Sequence, residues 1–410
     1  MKELFKTRSF LWIWLGQAAS ALGGTFAVFI MSWLVYDLTG SKIAMGSIWV
    51  FFMIPSLLTQ LLSGPYLDRW DRRSVMVFSE WLRAGVFLAG ALLYFTNLLT
   101  LWHMYAIAVL MGIAEPLFRP ASMAYVAQVL PKERLMKGNS FLEGTNQLMM
   151  LIGPALGGVL LQFTGAGFIL GLLVLTLAGA GFFLCLLPKS DHHFEKKESW
   201  FSQFKEGLSF YKMYPVLLGV GLLLMVMNFC TGAAIPMFLP YVTDYLGGNS
   251  IQYGLFTSAF SLGMILGAVI TGSLKEPKNR RVVMLGVALF EGSLFIILGI
   301  STNFIVSFLV TVLHGILAIT FNIHNTTLYQ RRVPDHLRGR VFAVRILLAQ
   351  AGMPVGAMLG SIVAETWSIP ILFFIIGGLM TIVTVTAFCL PIFHQLNDDV
   401  SATAKDAAAP

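Results

Sequence analysis

Apolar runs of about 20 residues or more, separated by short polar breaks, follow one another along almost the whole chain. A bilayer's hydrocarbon core takes about 20 residues of helix to cross. Backbone donors and acceptors there must be paired within the segment, so each run is a helix. The pattern predicts twelve spans, over residues 10–36, 43–65, 75–96, 102–127, 138–163, 167–188, 215–243, 251–274, 281–300, 304–329, 340–364 and 369–392. The expected fold class is an all-α polytopic membrane protein of twelve transmembrane helices in two pseudo-symmetric six-helix bundles, over residues 1–188 and 215–392. Between them, residues 189–214 read as a polar linker loop, and residues 393–410 as a disordered tail.

The polar breaks differ in charge. Lys and Arg gather at the N-terminus, in the breaks after even-numbered spans and in the tail, whereas the breaks after odd-numbered spans hold only Lys42. Positive loops stay inside, so both termini are expected in the cytoplasm, with the chain in the cell's inner or plasma membrane. The first run follows Lys2, Lys6 and Arg8 as a signal peptide would, but its length marks it as a retained span. With 57% hydrophobic and 11% charged residues, and a mean hydropathy of +0.78, composition agrees. The net charge of +7 is distributed by loop, which argues against a nucleic-acid partner. Cys185, Cys230 and Cys389 lie inside apolar runs and imply no disulfide framework. His192 and His193 in the linker lack further ligands at metal-site spacing and read as a solvated loop, so no metal or other cofactor is expected.

The chain repeats itself. Gly64, Asp68, Arg72 and Arg73, after the second span, return 208 residues later as Gly272, Glu276, Arg280 and Arg281. Gly153 and Gly157 in the fifth span return 203 residues later as Gly356 and Gly360. A parallel two-fold repeat of six helices is a known transporter architecture, with substrate held near the midplane between the halves.

Gly64, Asp68, Arg69, Arg72 and Arg73 resemble motif A of the major facilitator superfamily, and Gly153, Pro154, Gly157 and Gly158 are similar to its motif C, the antiporter signature. Trp14-x-Gly16-Gln17, Asp37-x-Thr39-Gly40-Ser41 and Asp68-Arg69-x-Asp71-Arg72-Arg73 resemble the branch of macrolide efflux pumps and siderophore exporters. Asp71 stands where the general motif has glycine, and Met149 where motif C has its first glycine. The helix-4 arginine motif of many drug antiporters is not matched, since Pro120 follows Arg119. The resemblance implies a latch in which Asp68 meets Arg345 at the start of the eleventh span, and a seal against proton leak at Pro154.

Glu115 and Arg119 are four apart near the middle of the fourth span, on one helix face. Ionisable groups at that depth face a cavity or each other, so the two, with Glu143 in the fifth span, are proton-coupling candidates; Glu143 is otherwise Arg119's partner. Glu80 and Arg83, three apart in the third span, are expected to satisfy each other, and Glu291, 208 residues after Arg83, reads as structural. Gly352 joins Gly356 and Gly360 in a stripe that permits close helix approach. By the resemblance, spans 1, 4, 7 and 10 line a cavity, whose polar candidates are Gln17, Asn228, His314, Asn322, His324 and Asn325.

Neither a GxxxxGK[ST] phosphate loop nor a hydrolytic cluster occurs, and no enzymatic activity is expected. The expected function is secondary export, by proton antiport, of a small amphipathic drug or secreted metabolite. The expected partners are that solute, protons and the lipid bilayer, and one chain with both halves suffices as a monomer. A lysophospholipid flippase, a sensor or receptor, and an uptake symporter are the alternatives.

Overall fold

A computed structural model describes residues 4, 7–67, 70–189, 200–334 and 337–398. Its helices are α1 Arg8–Thr39, α2 Lys42–Leu67, α3 Arg72–Phe95, α4 Leu101–Val129, α5 Lys132–Thr164, α6 Ala166–Cys185, α7 Trp200–Met213, α8 Pro215–Tyr245, α9 Ser250–Ser273, α10 Arg280–Ile300, α11 Phe304–Arg332, α12 Arg338–Thr366 and α13 Ile369–Cys389. All but α7 are long and apolar enough to cross a membrane, which makes twelve spans among the described residues. Local chemistry sets their ends. Asp71, Asn279, Asn303 and Ser368 accept backbone N–H bonds at the starts of α3, α10, α11 and α13. Gly40 ends α1 at φ 59°, with its N–H on the Tyr36 carbonyl; that left-handed geometry suits a residue without a Cβ. α8 changes winding, passing through a 3₁₀ turn at Ile235–Met237 to a π turn at Tyr241–Tyr245.

The chain forms two units. The first holds residues 1–197 together with Pro236–Ser258, and the second holds Glu198–Ile235 and residues 259–410. The repeat reappears inside each as matched helix crossings. In the first unit Gly112 of α4 lies against the Phe52 backbone of α2; in the second Gly315 of α11 lies against the Phe260 backbone of α9. Gly153 and Gly157 of α5 face Thr25 and Phe29 of α1, as Gly356 and Gly360 of α12 face Phe229 and Ala233 of α8.

Residues 189–214 are not a loop throughout. α7 occupies Trp200–Met213 and buries Gly207, Phe210 and Tyr211 within the second unit, with Gly207 on the Arg340 backbone and Glu206 ion-paired to Arg340. The Tyr211 hydroxyl donates to the Val341 carbonyl at 3.5 Å, and burial pushes its pKa up. Nor does disorder begin at residue 393. Helix α13 stops at Cys389 because Pro391 follows, and the 3₁₀ segment Pro391–Asn397 buries Phe393 and Leu396. Arg332 donates to the Gln395 carbonyl, and the Asn397 amide donates to Asn279 at 3.0 Å. Residues 399–410 lie outside the described ones.

The paired arginines of the two charged breaks have matching tasks. Arg73 donates to the carbonyl of Cys185, the last residue of α6, at 2.5 Å, and Arg281 donates to the carbonyl of Phe388, near the end of α13. A cation at a helix C-terminus meets the negative end of the dipole and an orphan carbonyl at once, worth about 0.3–2 kcal/mol. Arg73→Gln should lower stability by about 1–2 kcal/mol. Thermal melts of the purified protein will show a drop of a few degrees; an unchanged melt removes the capping role.

Candidate functional site

Polar side chains of α1, α4 and α5 gather in the first unit about two and a half helical turns from one common end. Gln17 is nine residues into α1, Arg119 ten residues from the end of α4 and Glu143 eleven into α5, so each stands about 15 Å from that end at 1.5 Å per residue. Arg119 pairs with Glu143 at 3.2 Å, and Gln147 donates to the other Glu143 oxygen at 3.1 Å. Gln17 donates to Ser122, which ties α1 to α4, and the Trp14 indole donates to Thr145 at 3.0 Å, which ties α1 to α5. The Arg119 and Glu143 side chains are 73% and 51% exposed. A charged pair that far into the spans faces water rather than hydrocarbon, because bare charge in lipid is too costly.

Glu115 and Arg119 share a helix face but do not pair: Arg119 turns to Glu143 of α5, the partner that the sequence had left open for it. Pro116 and Pro120 interrupt the α4 hydrogen-bond ladder on either side of the turn between them, and Glu143 with Gln147 offers an acceptor already braced. Glu115 is exposed at the midpoint of α4, without a hydrogen bond or ion pair among the described residues. It borders a cleft of about 30 Å³ lined by Val28, Met31, Ile48, Trp49, Phe52 and Met111.

Gly158 and Pro154 of motif C meet the start of α9. A Cβ on Gly158 would stand 3.2 Å from the Gly254 Cα, and Ser250 donates to the Gly158 carbonyl at 3.0 Å and to Gln162 at 3.1 Å. In motif A, Asp68 and Arg69 lie outside the described residues, as do the surroundings of Gly64. Arg72 donates to the Ala124 carbonyl at 3.0 Å. Arg345 lies over the Tyr329 and Phe342 rings, 4.9 and 5.3 Å from their centroids, and donates to Thr326 at 3.1 Å.

The cavity candidates of the second unit scatter. Asn228 donates to the Ala349 carbonyl at 2.9 Å and so joins α8 to α12. His314 is enclosed edge-on between the Phe260 and Phe295 rings, inside the core. Asn322 is exposed and accepts from Thr326. His324 is half-buried, six residues past the middle of α11 and eight before its end. Asn325 is buried, and neither of its amide atoms has a partner among the described residues. In the repeated charged break, Glu276 pairs with Arg331 at 2.8 Å and Arg280 at 2.9 Å. The Arg331 hydrogen bond, with Arg280 beside it, holds its carboxyl below the usual value. The stabilising contribution is therefore complete at neutral pH and fades as pH falls through that lowered value. Ser122, Thr145 and Gln147 complete the polar cluster of the first unit and carry no sequence signal beyond being polar in an apolar run.

A profile of the family described as transmembrane secretion effector matches residues 4–408. Macrolide efflux protein A of Streptococcus pyogenes is 21% identical over 397 residues, covering 94% of this chain and 96% of its own length. The multidrug efflux pump Tap of Mycolicibacterium fortuitum is 26% identical over 398 residues, covering 92% and 94%. Among solved structures, the nucleoside transporter NupG superposes with a TM-score of 0.77 at 12% identity, over 95% of this chain and 100% of that one. A bacterial homologue of the human lysosomal transporter Spinster superposes at 0.70 and 13%, over 95% and 96%. At such identities the solved structures speak for the fold alone.

Proposed function

This chain belongs to the transmembrane secretion effector family of the major facilitator superfamily and is a multi-pass membrane transporter rather than an enzyme, and on that footing we propose that it exports a small amphipathic molecule in exchange for protons. The observation that carries the reading is Glu115, a carboxylate at the midpoint of α4 beside an apolar cleft, without an ion pair or hydrogen bond among the described residues. The Arg119–Glu143 pair matters through what it withholds. With Arg119 held toward α5, Glu115 keeps its charge available to a passing cation or proton.

The chemistry of exchange follows. An ionised carboxylate at mid-span is stabilised by water, by a cationic group on a bound solute or by a proton, and water leaves as an apolar part of the solute enters the cleft. Solute and proton then compete for one oxygen pair, and loss of either is offset by arrival of the other. An apolar lining with a single charged group suits the cationic group and apolar edge of an amphipathic solute better than a sugar, and the cleft admits only such a part of it. The printed names of the macrolide and multidrug pumps support the same class.

The test uses inside-out membrane vesicles with an imposed proton gradient and a pH-sensitive dye. A macrolide or lipophilic cation should dissipate the gradient in wild type, and Glu115→Gln should slow that flux at least tenfold, roughly the 1.4 kcal/mol that one lost charge contact represents. Equal flux in both proteins would transfer the role to Glu143. Lysophospholipid movement without proton exchange would replace export of a solute by lipid flipping.

A further inference from the structure

The export scheme leaves one buried acid unused. Glu291 of α10 is 2% exposed, and its Oε1 has no hydrogen-bond partner among the described residues. Two hydroxyls of α13 share that condition, Thr381 Oγ1 and Thr384 Oγ1, and Thr384 is 0% exposed. The helices that carry them run antiparallel in close contact: Gly292 lies against Gly377 and Thr381, and Gly299 against Pro370 and Phe373. Side chains lean toward the N-terminus of their own helix. Glu291 therefore leans along α10 toward Ala288, the level of Thr384, while Thr384 leans along α13 toward Thr381, the level of Glu291. By this register the three unsatisfied oxygens fall within one helical turn of each other's level in the second unit. The Cys230 thiol of α8, bonded to the Ile376 carbonyl at 3.5 Å, ties a third helix to that part of α13.

The first unit shows what is missing. Position 83, the counterpart of Glu291 at the offset of 208, is an arginine, and it is paired with Glu80 at 2.8 Å. The counterparts of Thr381 and Thr384 at the offset of 203 are Ala178 and Gly181. Where the buried charge has a protein partner, the hydroxyls are absent; where it has none, they are present.

We propose that Glu291, Thr381 and Thr384 form a binding site for one sodium-sized monovalent cation. Hard cations of this kind take oxygen ligands, and a single positive charge balances a single carboxylate, whereas a divalent ion would leave net charge in an apolar core. A proton on Glu291 would neutralise the acid but leave both threonine oxygens unsatisfied, since no hydroxyl–carboxyl hydrogen bond joins these groups. A cation between them would give a lone pair on each of the three oxygens a positive partner. The Gly377 carbonyl, close to Gly292 on the same crossing, is a fourth oxygen within the layer.

The purified full-length protein is melted in sodium chloride and in choline chloride at equal ionic strength and pH. Wild type should melt several degrees higher in sodium, with a rise that saturates as mass action requires. Glu291→Gln should abolish the difference and Thr384→Val should weaken it. Equal melting of wild type in the two salts would overturn the site and make Glu291 a protonated structural acid. A sodium effect that persists in full in Glu291→Gln would overturn it too. If Glu291→Gln does not purify as a folded protein, Thr381→Val and Thr384→Val decide by the same comparison. The readout is binding, so it stands or falls separately from export.

Discussion

Arg83→Met should destabilise the protein by about 3–5 kcal/mol, a drop in melting temperature of about 10 °C. The Glu80 and Arg83 side chains are 0% and 3% exposed. Ser20 of α1 closes the pair into a triad, donating to Glu80 at 2.8 Å while Arg83 donates to its hydroxyl at 3.0 Å. Nothing in the triad is surplus, for Glu80 Oε2 and Arg83 Nε already lack partners among the described residues. Removing the cation alone leaves a carboxylate in the core with only Ser20 to hold it. Taking both charges away is a different matter, because an apolar pair of similar volume avoids the desolvation cost that the ion pair bears. Glu80→Met with Arg83→Met should thus recover most of the loss, and equal melting of single and double variants would sink the argument.

The second large effect belongs to Gly356. A Cβ there would meet the Phe229 carbonyl and stand 3.1 Å from the Ala233 nitrogen, and Gly352 and Gly360 are held as closely on either side. All of those neighbours at Gly356 are backbone, which cannot rotate aside. Gly356→Leu must push α12 off α8, at about 3 kcal/mol or more, and should give little monodisperse protein on size exclusion. Gly153, its counterpart in the first unit, faces the Thr25 side chain instead. A rotamer change can absorb part of that clash, so Gly153→Ala should be milder than Gly356→Ala. Gly286→Leu, with nothing within 4 Å of the added carbon, is the control. Comparable behaviour of Gly356→Leu and Gly286→Leu would refute the close-packing account.

The spans were legible because a bilayer imposes one length and one polarity on every crossing helix, and the glycine stripes marked helices that approach closely without saying which neighbour each one meets. Pairing between helices was harder. Spacing along α4 put Glu115 and Arg119 on one face and left Glu143 open as the arginine's partner; depth in the neighbouring helix decides between them, and Glu143 holds it. α7 was missed because its cue is short: Gly207, Phe210 and Tyr211 have helical spacing inside a segment whose charges suggest a loop. The burial of Phe393 and Leu396 carried no periodic signal, only two apolar residues after a proline.

The composition of the first unit bears on how the protein is made. Its last piece, Pro236–Ser258, leaves the ribosome after residues 198–235 of the second. Until then the Gly158 carbonyl lacks its Ser250 hydroxyl, and the glycine face of α5 waits for Gly254. The first unit's contacts at Gly158 therefore form only after part of the second unit has been made. A gene split after residue 197 should produce an N-terminal fragment that matures only when its other half is translated in the same membrane.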